Sequence, residues 1–182
     1  MGSEHSAAPN IRPVRDEDVE ALVDLTLQAF VPVFRSFEQM LGPEIHRMIW
    51  PDWRAGQQKA VEMFFRDREH YSVWVTEVGG APVGLTACVV DPKDRTGEVQ
   101  FLVVDPAYQN RGVGTALNLF ALERMKERGV RLARVETGND SSHAPARRSY
   151  EKVGYVPMPL VRYFKNLQCR RWTGHAPDAV RS

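Results

Sequence analysis

A chain of 182 residues, 43% hydrophobic and 26% charged, with a formal net charge of +1, has the size and balance of one globular domain able to bury a core. Near-neutrality gives no global attraction to nucleic acid or anionic lipid, and no apolar stretch reaches the about 18 residues that a membrane span needs. The two cysteines, Cys88 and Cys169, lie far apart without His or Cys neighbours at ligand spacing, so no disulfide framework, no metal site and a reducing, cytoplasmic setting are expected.

Residues 1–9 read as a flexible leader without the apolar run of a signal peptide. A short extended piece at Ile11–Val14 precedes a helix capped by Asp16, with Val19, Leu22, Val23, Thr26, Leu27 and Phe30 on one face. The stretch from Val31 to Trp50 is less regular, carrying Pro32, Gly42 and Pro43, and a further helix is expected over Asp52–Asp67. The period then changes to two. "YSVWVTEV", the turn "GGAP" and "VGLTACVVD" predict an antiparallel hairpin, and "EVQFLVVD" a third strand.

Gly114–Arg128 predicts an amphipathic helix ended by Gly129, followed by the strand "VRLARVET". A helix from Pro145 to Val153 and two final strands, "GYVPM" and "LVRYFKNL", complete the pattern, with a loose tail beyond residue 167. The order predicts a mixed α/β sandwich in one domain over residues 10–167.

Between the third strand and the helix lies "PAYQNRGVGTAL". A helix N-terminus offers free N–H groups and partial positive charge, and Gly112 and Gly114 would clear side chains from in front of them; a tight turn packing helix on strand explains the same glycines. The string fits neither a Walker loop nor a dinucleotide fingerprint, whose third small position is Leu117 here.

Gln109, Gly112 and Gly114 in Q-x-x-G-x-G, the opening "IRPVRDEDVEAL" and the closing "ARRSYEKVGY" resemble the acyl-CoA loop and flanking segments of the GNAT N-acetyltransferase superfamily over about residues 10 to 167. The resemblance implies a mostly antiparallel sheet of about seven strands, splayed between strands 4 and 5 and flanked by about four helices. It implies acetyl-CoA as co-substrate, with the pyrophosphate on the backbone of Gln109, Asn110, Arg111, Gly112, Val113, Gly114 and Thr115. The pantetheine would pair with the backbone of Leu102, Val103 and Val104.

Amide formation requires that the amine lose its proton, that a donor meet the acyl oxygen and that the departing thiolate find a proton. Glu98 is the candidate base; alternation puts it on one side with Gln100, Leu102 and Val104, opposite Val99, Phe101 and Val103. The Val104 N–H is the candidate oxyanion donor, and the resemblance places Tyr150 beside the sulfur as the acid. Where the family pattern commonly has asparagine this chain has His143, so His143 and Asn139 are both candidates for the coenzyme arm, and His143 also for deprotonation. Phe34, Phe37 and Trp53 are candidates for lining the acceptor pocket.

The activity implied is acetyl transfer to a primary amine of a small molecule or peptide in a ternary complex. The competing readings are a non-catalytic acyl-CoA sensor on the same fold, or a protein N-terminal or lysine acetyltransferase. No nucleic-acid or membrane partner is expected, and pairing of two copies through "LVRYFKNL" is the one oligomer contact suggested.

Overall fold

The computed structural model describes residues 10–168; the leader and the tail from Cys169 onward lie outside the described residues. Five strands form one sheet in the order β1-β2-β3-β4-β5: β1 (Asn10–Pro13), β2 (Ser72–Val78), β3 (Ala81–Asp91), β4 (Thr96–Val104) and β5 (Leu132–Val135). The first four run antiparallel, and β5 lies parallel to β4. The helices are α1 (Val19–Ile49), α2 (Trp53–Arg66), α3 (Val113–Glu127) and α4 (Ala144–Lys152).

One face of the sheet packs Val73, Val75, Leu85, Ala87 and Val103 against Leu22 and Leu25 of α1 and Val61 and Phe64 of α2. The other packs Trp74, Cys88 and Val99 against Ala121 and Met125 of α3, and Val83 and Val104 against Val113 and Leu117. The strands β2, β3 and β4 therefore divide their residues between two apolar layers, as period two requires.

Three expectations are corrected. Helix α1 does not stop near Phe30. It passes through Pro32 and bends only at Gly42 (φ 75°), with Pro43 opening its last stretch. A proline inside a helix removes one backbone bond, but Phe34 and Phe37 beyond it are anchored in an aromatic cluster that holds the helix on course. Asp16 begins a 3-10 turn instead of capping α1, and Asp18 is the buried acid there, accepting from the backbone N–H of Arg15.

The two final strands are absent among the described residues, so the sheet has five strands instead of about seven. Pro157 and Pro159 carry no N–H to give a ladder, and Val156, Met158, Leu160, Val161 and Tyr163 are all exposed. The segment is tied to α1 where Asn166 Nδ2 donates to Glu44 Oε1 at 2.7 Å.

Candidate functional site: an open strand edge beside an aspartate–histidine dyad

β4 and β5 pair only over Thr96–Val99 and Leu132–Val135. Beyond Val99 the strands part, because the register with β3 slips at Ala87/Cys88 and leaves Gln100 as the extra residue of a β-bulge. A bulge bends its strand and re-aims the residues beyond it. It also reverses the expected alternation: Val99 and Leu102 share the α3 face, while Phe101 and Val103 lie on the α1 face. Gly97 lies against Met125 on the α3 side, so Glu98, next along the strand, belongs to the α1 face with Phe101. Glu98 and Leu102 thus stand on opposite faces.

The Asp105 N–H donates to Val83 O at 2.9 Å, and Phe101 O accepts from Thr86 of β3. Because backbone groups alternate along a strand, Leu102 and Val104 turn their N–H and C=O toward the unpaired edge, and Val103 turns its own toward β3. Of the three residues expected to meet the pantetheine, only Leu102 and Val104 present backbone there. Gln109 Nε2 donates to Val104 O at 2.9 Å, fastening the following loop to the strand end and leaving the Val104 N–H open.

That loop enters α3 through two left-handed residues, Asn110 (φ 59°) and Gly112 (φ 86°). A Cβ on Gly112 would meet nothing within 4 Å, so the space before the helix is clear, and the positive φ is what requires glycine. Gly114 is different: a Cβ there would make ordinary contacts of 3.6 to 3.8 Å with Val104, Leu102 and Ser149. The first intrahelical bond runs from Ala116 N to Gly112 O, leaving the amides of Val113, Gly114 and Thr115 unpaired at the positive end of α3. Arg111 lies over the Tyr108 ring, 5.4 Å from its centroid.

α4 docks beside this turn, with Thr115 Oγ1 and Ser149 Oγ 3.5 Å apart. Tyr150 is buried, edge-on to Tyr155 at 5.9 Å. Burial pushes its phenol up to about 12, so it holds its proton more tightly than the ordinary phenol assumed from sequence. Glu98 Oε2 accepts from Arg134 Nε at 2.7 Å, and the glutamate side chain is 14% exposed.

The most connected polar group lies in the loop before α4. His143 Nδ1 stands 2.6 Å from Asp140 Oδ1. Asp140 Oδ2 accepts from Ser36 Oγ of α1 at 2.9 Å, from the Ser142 N–H at 3.0 Å and from Ser142 Oγ. Burial raises the Asp140 carboxyl, but these hydrogen bonds and the charge of His143 outweigh it and bring it to about 2. Arg147 braces the same loop, donating to the carbonyls of Gly138 and Asp140. A Cβ on Gly138 would lie 2.5 Å from both Asp140 Oδ1 and His143 Nδ1, so only glycine leaves room for the pair.

The His143 ring stacks on Phe37 at 5.6 Å. Phe37 stacks on Trp50, and Phe34 on Trp53, with His46 edge-on to Phe34. Phe34 is thus a buried member of the cluster, while Phe37 carries it to the dyad. Asn139 is exposed and makes no side-chain bond among the described residues. Asp140, Ser36 and Gly138 escaped sequence reasoning; the local signal was D-x-x-H at a helix entrance, but Ser36 stands 104 positions away. No cluster of three metal-ligating side chains occurs among the described residues, and no helix among them is long and apolar enough to cross a membrane.

A family model described as the acetyltransferase (GNAT) family matches residues 42–155. An uncharacterised N-acetyltransferase of Methanocaldococcus jannaschii is 27% identical over 157 residues, covering 84% of this chain and 62% of its own. A mycothiol acetyltransferase of Acidothermus cellulolyticus is 31% identical over 146 residues, covering 79% of this chain and 42% of its own. The chain therefore spans about six tenths or less of these relatives' length. The fold matches the crystal structure of the PaiA N-acetyltransferase from Thermoplasma acidophilum in complex with coenzyme A, with a TM-score of 0.63 at 17% identity over 81% of this chain and 89% of that one.

Proposed function

The chain belongs to the GNAT family of acetyltransferases, and from that premise we propose that residues 10–167 form one domain that moves an acetyl group from acetyl-CoA to a primary amine of a small molecule. When bound, the coenzyme supplies an activated acyl carbon and a thiol leaving group. The observation that carries the reading is the open edge of β4, where Leu102 presents its N–H and C=O and Val104 its N–H directly ahead of the clear N-terminus of α3. Leu102 and Val104 would hold the pantetheine as an added strand. The amides from Gln109 to Thr115, opened by Asn110 and Gly112, would hold the pyrophosphate.

The Val104 N–H would donate to the acyl oxygen as charge gathers on it. The Tyr150 O–H would donate to the sulfur; with its phenol near 12 and free thiols near 8.5, it stabilises the departing thiolate chiefly by hydrogen bonding. Glu98 sets a carboxylate on the α1 face, its Oε2 engaged by Arg134 and its Oε1 turned to no partner among the described residues. Cys88 is 1% exposed, and burial pushes its thiol up to about 12, which disfavours an acyl step on Cys88. The relatives named mycothiol acetyltransferases favour a small-molecule acceptor over a protein one.

Thermal melting with and without acetyl-CoA tests the donor. A ligand at a hundred times its Kd should add about 2.7 kcal/mol of stability, and no rise in Tm would overturn the coenzyme site. Thiol release across a panel of primary amines tests the transfer; binding without release from any amine would favour the sensor.

A further inference from the structure

The geometry points to His143 as the catalytic group that removes the acceptor's proton, with Asp140 as its positioning residue. This rests on the acetyl-transfer reading and adds to it the identity of the base.

Four observations converge on the imidazole. Asp140, whose side chain is 4% exposed, receives the Nδ1 side at 2.6 Å. An ionised carboxylate only accepts, so Nδ1 carries a proton, and in the neutral ring it is Nε2 that bears the free lone pair. Asp140 itself is fixed by Ser36 and Ser142, from two different elements. His143 Nε2 has no partner among the described residues and is not among the buried unpartnered atoms. Finally, the ring stacks on Phe37, within the aromatic cluster of α1, and Gly138 reserves its space. A ring that served only as a local tie would need Nδ1 alone; here the basic nitrogen is the one left open.

Placement agrees with the task. His143 is the N-cap of α4 and Tyr150 lies seven residues on, two helical turns, so both project from one face. The charged and titratable groups near the ring are Asp140 on its own loop, Arg147 on α4, and on α1 His46, which packs on Phe34 and Trp50, neighbours of Phe37. His46 Nε2 is also without a partner among the described residues but is buried, whereas His143 stacks on Phe37 and its Nε2 is not among the buried unpartnered atoms.

In the transfer, Nε2 takes one proton from the ammonium and becomes imidazolium, beside the Asp140 carboxylate. The neutral amine forms the N–C bond as the C–S bond breaks. The amine nitrogen's second proton passes to the thiolate, with Tyr150 donating and regaining its own, and the imidazolium returns its proton to water. The sum is amide, free thiol and one proton.

The test uses the full chain, the primary amine it turns over fastest, and thiol release as the readout. His143→Gln should lower kcat by about 10²-fold and abolish the acid limb of the kcat/KM profile, with coenzyme A affinity by calorimetry unchanged. Glu98→Gln should keep that limb. In 15N-histidine spectra of the wild type, His143 should appear as the Nδ1–H tautomer, a readout that stands even if the variant fails to fold. The inference is overturned if His143→Gln keeps the limb, if it loses coenzyme affinity at unchanged kcat, if Glu98→Gln loses the limb, or if the tautomer is Nε2–H. Wild-type protein that binds coenzyme A but releases no thiol with any amine would overturn the transfer reading first, and this one with it.

Discussion

Asp18 and Asp140 each have a side chain only 4% exposed, and both carboxyls are held below the ordinary range, yet they are built for different ends. Asp18 faces Arg12, which donates Nη1 and Nη2 to its two oxygens at 2.7 and 2.8 Å and Nε to Glu77 at 2.6 Å. That hydrogen bonding is the main reason why the Asp18 carboxyl is depressed and the Arg12 guanidinium raised. Asp140 faces His143, Ser36 and Ser142. The first cluster joins β1, β2 and the entry to α1 through a cation that never releases its proton. The second joins α1 to α4 through a ring that can. Equal burial of a carboxylate therefore goes with a fixed cation in one place and, on the reading proposed above, with a proton-handling ring in the other, and the partner's chemistry decides which.

The largest effect should come from breaking the brace. Arg12→Met leaves Asp18 buried without its cation, which costs about 3–5 kcal/mol for a buried pair. Tm should fall steeply, with the activity per folded molecule unchanged. Next comes Gly138→Ala, whose new methyl would strike Asp140 Oδ1 and His143 Nδ1. Overpacking of this kind costs up to about 3 kcal/mol. Because the atoms it displaces are the dyad itself, thiol release should fall further than that destabilisation explains. If Arg12→Met altered the pH–rate profile and Gly138→Ala did not, the contrast between the two clusters would be lost.

Asp140→Asn should act through pH. The native carboxyl is near 2 against an ordinary value near 3.9. A depressed carboxyl contributes stability that is present above the unfolded pKa and lost as pH falls toward the folded one. Wild-type protein should therefore lose about 2 kcal/mol from this group between about pH 5 and pH 2. The variant should lack that share at neutral pH and show a shallower acid decline in melts taken across pH. Asp18 adds a slope of the same sign in both proteins, since its carboxyl is also held low.

Much of the scaffold was legible because local chemistry decided it. The period-two runs of β2, β3 and β4 broken at Gly79–Gly80, the start of α2 next to Asp52 and the glycines that follow α3 and α4 all depend on near neighbours. What was not legible depends on distant ones. Helix α1 continues past Pro32 because its aromatics pack on one another and on Trp53 of the next helix. The bulge at Gln100 is a property of the pairing with β3, and it turned Glu98 to the face opposite Leu102. The final strands failed at Pro157 and Pro159, a signal that was in the chain and was outweighed by β-branched and aromatic content. At the site, the glycine turn was visible in the residues themselves, and Tyr150 was marked only by the family resemblance. The dyad could not be read, because Asp140 acquires its third element only when α1 brings Ser36 to it.

Ser36 gives the smallest and most discriminating prediction. Ser36→Ala removes one hydroxyl donor from Asp140 Oδ2, which keeps the backbone N–H and Oγ of Ser142, so the stability loss should be about 1.5 kcal/mol, the low end for a hydrogen bond to a charged group. The matching change in the brace, Glu77→Gln, removes the outer carboxylate from Arg12 while Asp18 stays paired, and its loss should be of similar size. Stability alone cannot tell these two apart. The acid limb of kcat/KM can: it should shift with Ser36→Ala, because a loosened Asp140 holds the imidazolium less firmly, and stay fixed with Glu77→Gln. A shift with both would mean that the profile reports general loosening of the fold, and a shift with neither would reduce Ser36 to packing between α1 and the loop before α4.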